Sequence, residues 1–236
     1  MKHPHSGFSL IEVLVVTLVG GLLLVASTQV FTQLVQYQRQ QMQTLRLTER
    51  TRLAELALRQ DLSQAQRILA AASATRDYPD FTEKTVTLNH PTLSSSSFEH
   101  FPSSDWLVIN RHAEDQEADF SLWHLDSKTY GQGLAHKQSQ SDQAEQLGHS
   151  QTLIQGAELL RFRYYRPDSG RWLNADQVSD WTSISGIQFA VLLASSVPLS
   201  RPKQQQIQLW GEPLELPEDG RLRQLVTGSV YLEQPP

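Results

Sequence analysis

The 236-residue chain contains no cysteine. Neither a disulfide framework nor a thiolate metal site can be built from it. An excess of basic charge is also missing, since 20 Lys and Arg stand against 25 Asp and Glu, a formal net charge of −5. Proteins that hold nucleic acid normally show a basic stripe, so no nucleic-acid partner is expected. Charge of either sign is absent between Phe8 and Phe31 except at Glu12, and the next charged residue is Arg39. Glycine and proline are both absent between Gly21 and Pro79. Nothing in that stretch is a strong helix breaker.

What is there begins with a span. The segment FSLIEVLVVTLVGGLLLVASTQVF (8–31) would extend about 36 Å as a helix, enough to cross a hydrocarbon core of about 30 Å. Lys2 and the chain's own amine precede it, and positive charge before a span keeps that end cytoplasmic and sends the rest outward. An ordinary secretory signal would be shorter and end in a small-x-small cleavage site, for which LVASTQ is the nearest candidate. Neither that reading nor a plain signal anchor explains Glu12, because a carboxylate within a span is costly.

Cutting the chain between Gly7 and Phe8 changes the physics. Phe8 then carries a new α-amine, mostly protonated at neutral pH. Glu12 lies four residues on, one helical turn away. In a polymer, Glu12 of one chain can pair with the Phe8 amine of a neighbour and set the axial register, so that neither buried charge is left alone.

The stretch G-FSLIEVLVV (7–16) resembles the class III signal of type IV pilins and type II secretion pseudopilins. These have a short basic leader, a Gly, an aromatic first mature residue and a Glu at mature position five. The resemblance implies cleavage by a membrane peptidase between Gly7 and Phe8, N-methylation of Phe8, and an assembly role for Glu12.

Beyond the span, good helix formers continue, with Leu34, Val35, Met42, Leu45, Leu53, Leu56 and Leu62 as a broken amphipathic stripe. The expected helix runs from Phe8 to about Ala74. After Pro79 the pattern becomes period two. KTVTL (84–88), DWLVINRH (105–112), DFSLWHL (119–125), AELLRFRYYR (157–166), SISGIQFAVLLASS (183–196) and RQLVTGSVYLEQ (223–234) all read as strands. The longest loops are HPTLSSSSFEHFPSSD, YGQGLAHKQSQSDQAEQLGHSQ and PLSRPKQQQIQLWGEPLELPEDG. A long helix followed by strands predicts an α+β fold: a transmembrane half and an amphipathic half of one helix, the latter packed on a C-terminal antiparallel β-sheet. The predicted divisions are a leader at 1–7, a membrane or filament-core helix at 8–31, a stem helix at 32–74 and a β-rich globular domain at 75–236.

DLSQAQ (61–66), GAELLRFRYYRPDSGRW (156–172), VSDWTSISGIQFAVLLASS (178–196) and RLRQLVTGSVYLEQ (221–234) are similar to a narrower group, the PilW/PpdB-type minor pilins. Two departures are SQAQR, which lacks an expected Ala-Gly, and the final LEQPP in place of Arg-Asn. The resemblance implies a minor pilin that helps to initiate type IV pilus assembly, in a tip complex with other minor pilins and the major pilin. It also implies a prepilin peptidase, an inner-membrane assembly platform, and a periplasmic C-terminal domain that later joins the pilus. A J-type pseudopilin of type II secretion, which shares the RYY…GRW…W pattern, is the alternative in the same class. A signal-anchored periplasmic binding protein that never polymerises is the alternative outside it.

Catalytic and metal chemistry find no foothold in the sequence. His90, His100, His112, His124, His136 and His149 have no pair at ligand spacing and are expected at the surface. Glu114, Asp115, Glu117 and Asp119 lack the Gly turn of a calcium loop and read as a solvated turn. SSSS (94–97) has no base beside it, and PDSG (167–170) is turn chemistry. Arg161 and Arg163 alternate with Phe162 and Tyr164, so the arginines should share one strand face and the aromatics the other. No catalytic residue, metal site or cofactor is expected.

Overall fold

A computed structural model describes residues 10–73, 105–111, 119–126, 133–138, 151–199 and 205–232. The expected strand at 84–88, most of the acidic turn, SSSS and four of the six histidines lie outside the described residues, as do Gly7 and Phe8. The chain divides into two units, one up to Gln43 and one from Thr44 onward. A single helix, α1 (Leu10–Ser63), contributes to both.

In the first unit, every residue from Leu10 to Leu34 is exposed. Its hydroxyls do not reach outward. Thr17, Ser27, Thr28 and Thr32 donate to backbone carbonyls three or four residues back, at 2.8 to 3.0 Å. Their polarity is thereby satisfied within the helix, as an apolar surrounding requires.

Among the described residues, the second unit holds the rest of α1 and eleven strands. These are β1 (Ala65–Ser73), β2 (Asp105–Arg111), β3 (Asp119–Asp126), β4 (Gly133–Gln138), β5 (Gln151–Gln155), β6 (Ala157–Arg166), β7 (Arg171–Leu173), β8 (Gly186–Pro198), β9 (Ile207–Leu209), β10 (Glu212–Leu214) and β11 (Arg221–Tyr231). All pairings are antiparallel. They make a five-stranded sheet in the order β1-β2-β3-β4-β5, a four-stranded sheet β11-β8-β6-β7, and the hairpin β9-β10. The expected α+β architecture is therefore found, with the strands divided between two main sheets.

The stem helix is shorter than expected. It ends at Ser63, not near 74, and AQRILAAAS forms β1. Its residues favour a helix in isolation, but pairing with β2 from Ala65↔Arg111 to Ser73↔Asp105 overrides that preference. The buried stripe also differs from the expected one. Leu47, Thr51, Ala54, Leu58, Asp61 and Leu62 face inward, whereas Leu45, Leu53 and Leu56 are 52–62% exposed. The true stripe follows steps of four and three. It includes Thr51, whose hydroxyl is satisfied by Leu47 C=O at 2.7 Å, and the small Ala54, which lets the helix approach the sheets.

Leu47, Ala54, Leu58 and Leu62 share one core with Ile109, Trp123, Leu134, Phe162, Phe189 and Val226. That core lies between α1 and both sheets. In β6 the expected alternation holds: Phe162 and Tyr164 are buried, and Arg161 and Arg163 are on the other face. This strand lies between β8 and β7 and is not an outer edge along its whole length. The loop of 130–151 contains β4, and the loop before β11 contains the β9-β10 hairpin, whose turn residue Trp210 has φ 53°. Arg163 lies 4.2 Å over the Trp210 ring and holds that turn against β6.

Candidate functional site

Two regions carry chemistry: the start of α1, and the polar contacts that seat the end of α1 on the sheets. At the start, Glu12 occupies the first helical turn. Among the described residues it has no hydrogen-bond or ion-pair partner. The neighbouring hydroxyls close on their own backbone, and Glu12 is the one charged group among the described residues of the span. Gly20 and Gly21 are helical, and added Cβ atoms there would meet nothing within 4 Å. A glycine pair costs such a helix about 2 kcal/mol relative to alanine and leaves a smooth face for a close neighbour.

At the other end, Asp61 is 6% exposed. Arg111 Nη1 donates to it at 2.9 Å, Trp123 Nε1 donates at 2.5 Å, and the Ser121 hydroxyl donates to its second oxygen. His136 Nε2 stands 3.6 Å from the carboxylate and 2.6 Å from Ser121 Oγ. Burial pushes the Asp61 carboxyl upward, but the contacts from His136, Ser121 and Trp123 outweigh it and hold the group below its ordinary range. Two expectations are corrected here. His136 is half-buried in this network and His124 is buried, so neither is a surface histidine.

Asp61, His136 and Ser121 together do not form a hydrolytic relay. Such a relay needs the serine on one imidazole nitrogen and the carboxylate on the other. Here both face Nε2, and Ser121 is wholly buried. The arrangement is a structural anchor tying the last turn of α1 to β2, β3 and β4.

Two further carboxylates join elements. Asp105 on β2 accepts from the Phe162 backbone N–H at 2.8 Å and from Arg161 at 3.0 Å, bridging the two sheets. Burial raises its carboxyl above the ordinary value, and Arg161 and Phe162 offset this only in part. Glu158, 3% exposed, receives Arg223 at 2.7 Å and Arg221 at 2.8 Å. Arg223 also donates to Asp219, which holds that carboxyl far below its usual range. This cluster closes the loop before β11 without a disulfide. Sequence reasoning assigned none of these residues an anchoring contact. Among the described residues, no group of three His, Asp or Glu is placed to hold a metal ion.

The sequence matches the prokaryotic N-terminal methylation motif over residues 2–28. The chain carries this motif at the start of its one long helix. It has one long N-terminal helix packed on antiparallel sheets, and that helix contains a segment long and apolar enough to cross a membrane. Together with the motif, this marks an N-anchored membrane protein. Among solved structures, the chain is similar to a type IV-like pilin from Thermus thermophilus, at 14% identity and a TM-score of 0.49, over 79% of this chain and 97% of that one. No curated protein matches it.

Proposed function

We propose that the chain is a minor pilin that takes part in initiating type IV pilus assembly, in a tip complex with other minor pilins. In this reading a prepilin peptidase cuts between Gly7 and Phe8, and the new Phe8 amine is methylated. The subunit first sits in the inner membrane with its β-rich domain in the periplasm. Its span then moves from lipid to protein neighbours as it enters the filament with the major pilin. Glu12 supplies the pairing charge for an N-terminal amine. The observation that carries the reading is the methylation motif over residues 2–28, with Glu12 as the unpartnered charge of an otherwise exposed apolar helix among the described residues.

The intact mass and N-terminal sequence of the protein recovered from membranes test the processing step. A chain beginning at Phe8 with one added methyl is expected. A chain retaining Met1–Gly7, or cut after Ser27, would overturn the reading. Glu12→Ala is expected to leave membrane insertion intact and to impair assembly by about tenfold or more, as loss of a desolvated ion pair would. The pattern RYY…GRW…W (163–181) favours one other reading, a J-type pseudopilin. Loss of exoprotein secretion, instead of twitching, in a deletion strain would select it.

A further inference from the structure

Among the described residues, β11 is the outer strand of the four-stranded sheet and pairs with β8 along one side only. In an antiparallel ladder the backbone groups of alternate residues point toward the partner and away from it. From Arg223 onward the odd-numbered residues point away. Arg223 N–H and C=O are both taken by the Gln205 side-chain amide, at 2.8 and 3.1 Å, and Ser229 C=O accepts from Arg59 at 3.2 Å. Between these two ends, five groups have no partner among the described residues: Leu225 N–H and C=O, Thr227 N–H and C=O, and Ser229 N–H. Gln205 shows what this edge accepts. Its amide supplies one donor and one acceptor, as the next strand of a sheet would.

An open edge is normally blunted by proline, charge, a bulge or brevity. The stretch LVTGS (225–229) has neither proline nor charge. The register irregularity of β11 lies before it, between Arg221 and Arg223. Thr227 and Ser229 are small, polar and exposed, so no described residue covers them. The helix flank beside it is positive. Arg59 reaches Ser229, and Arg52 lies two turns earlier on the same flank, exposed and without an ion-pair partner among the described residues. Glu55 pairs with Arg59, and Glu49 lies one turn before Arg52 on the outward side of the helix, and Arg52 is the unpaired cation on the flank among the described residues.

We propose that the free edge of β11 from Leu225 to Ser229 receives an extended, acidic segment of a partner polypeptide as an added strand. Main-chain bonds to the five open groups supply the affinity, and carboxylates facing Arg52 and Arg59 supply the choice of partner. A second copy of β11 fits poorly, because it would bring two positive flanks together. The proposal rests on the reading of the chain as a filament subunit.

The test is backbone amide hydrogen exchange on the full chain, as detergent-solubilised monomer and in the assembled complex. Leu225 and Thr227 are expected to exchange freely in the monomer and about tenfold or more slowly after assembly. Thr227→Pro removes an outward N–H without touching the bonds to β8. It should keep the melting temperature within a few degrees and lose incorporation, whereas Thr227→Val should incorporate normally. The exchange result is read on the unmodified chain, so it stands whether or not the proline variant folds. Incorporation with Leu225 and Thr227 still exchanging at the monomer rate overturns strand addition alone. Protection already present in a detergent-soluble homodimer overturns the acidic partner in favour of a second copy. A chain that is never processed or incorporated overturns the pilin reading and strand addition together.

Discussion

The indole Nε1 of Trp123 donates to the Asp61 carboxylate at 2.5 Å, joining the middle of β3 to the last turn of α1. Because Arg111, Ser121 and His136 converge on the same carboxylate, one side chain seats the helix end on three strands. Removing it takes the shared acceptor from Arg111, Ser121 and Trp123. Asp61→Ala is expected to cost about 3 kcal/mol, measured by denaturant unfolding of the detergent-solubilised chain. The pH dependence has a definite sign. A carboxyl lowered in the folded state contributes fully above its unfolded value of about 3.9, and the contribution is lost as pH falls through the folded value. The gap between wild type and Asp61→Asn should therefore be constant at neutral pH and close on acidification below about pH 3.9.

Asp105 has the opposite sign. Its folded-state value is raised, so it favours folding only while protonated, and that gain disappears as pH rises through the folded value. At neutral pH the charge is a burden that Arg161 and Phe162 N–H partly relieve. Asp105→Asn keeps an acceptor for Phe162 and should shift stability at pH 7 by less than about 1 kcal/mol. A loss comparable to that of Asp61→Ala would overturn this account.

Gly228 on β11 lies under the Phe189 ring, where an added Cβ would stand 2.3 Å from the nearest ring carbon. Gly228→Ala should therefore destabilise by about 1–3 kcal/mol through overpacking. Phe189→Leu in the same chain should recover part of that loss, and a double-mutant cycle by thermal unfolding measures the recovery.

The helix faces give a paired prediction. Leu58 is fully buried, and Leu56, two residues earlier, is 52% exposed. Leu58→Ala should cost about 2–5 kcal/mol, while Leu56→Ser should stay within about 0.5 kcal/mol. Equal losses would contradict the observed phase of the stem.

These faces also show where sequence reasoning stops. The apolar residues of the stem suggested a stripe through Leu45, Leu53 and Leu56, but the helix buries Thr51, Ala54 and Asp61 instead. Hydrophobicity alone does not mark an alanine chosen for close approach, or an aspartate whose partners lie 50, 60 and 62 residues downstream. The strand at 157–166 was legible to the residue, because its alternation of Phe162 and Tyr164 with Arg161 and Arg163 is local and one face enters the core. β1 was not, because its alanine-rich sequence prefers a helix until β2 is beside it.

Sequence by itself determined what is contiguous: the uncharged span, its single Glu12, the motif around it and the succession of helix then strands. Those features depend on neighbours along the chain, and a helix in lipid or in a filament needs little else to form. Tertiary structure decided where α1 ends, which of its faces is buried and how the described strands divide into two main sheets. Each of those depends on groups far apart in sequence, whose pairing outweighs local preference only once the chain has folded.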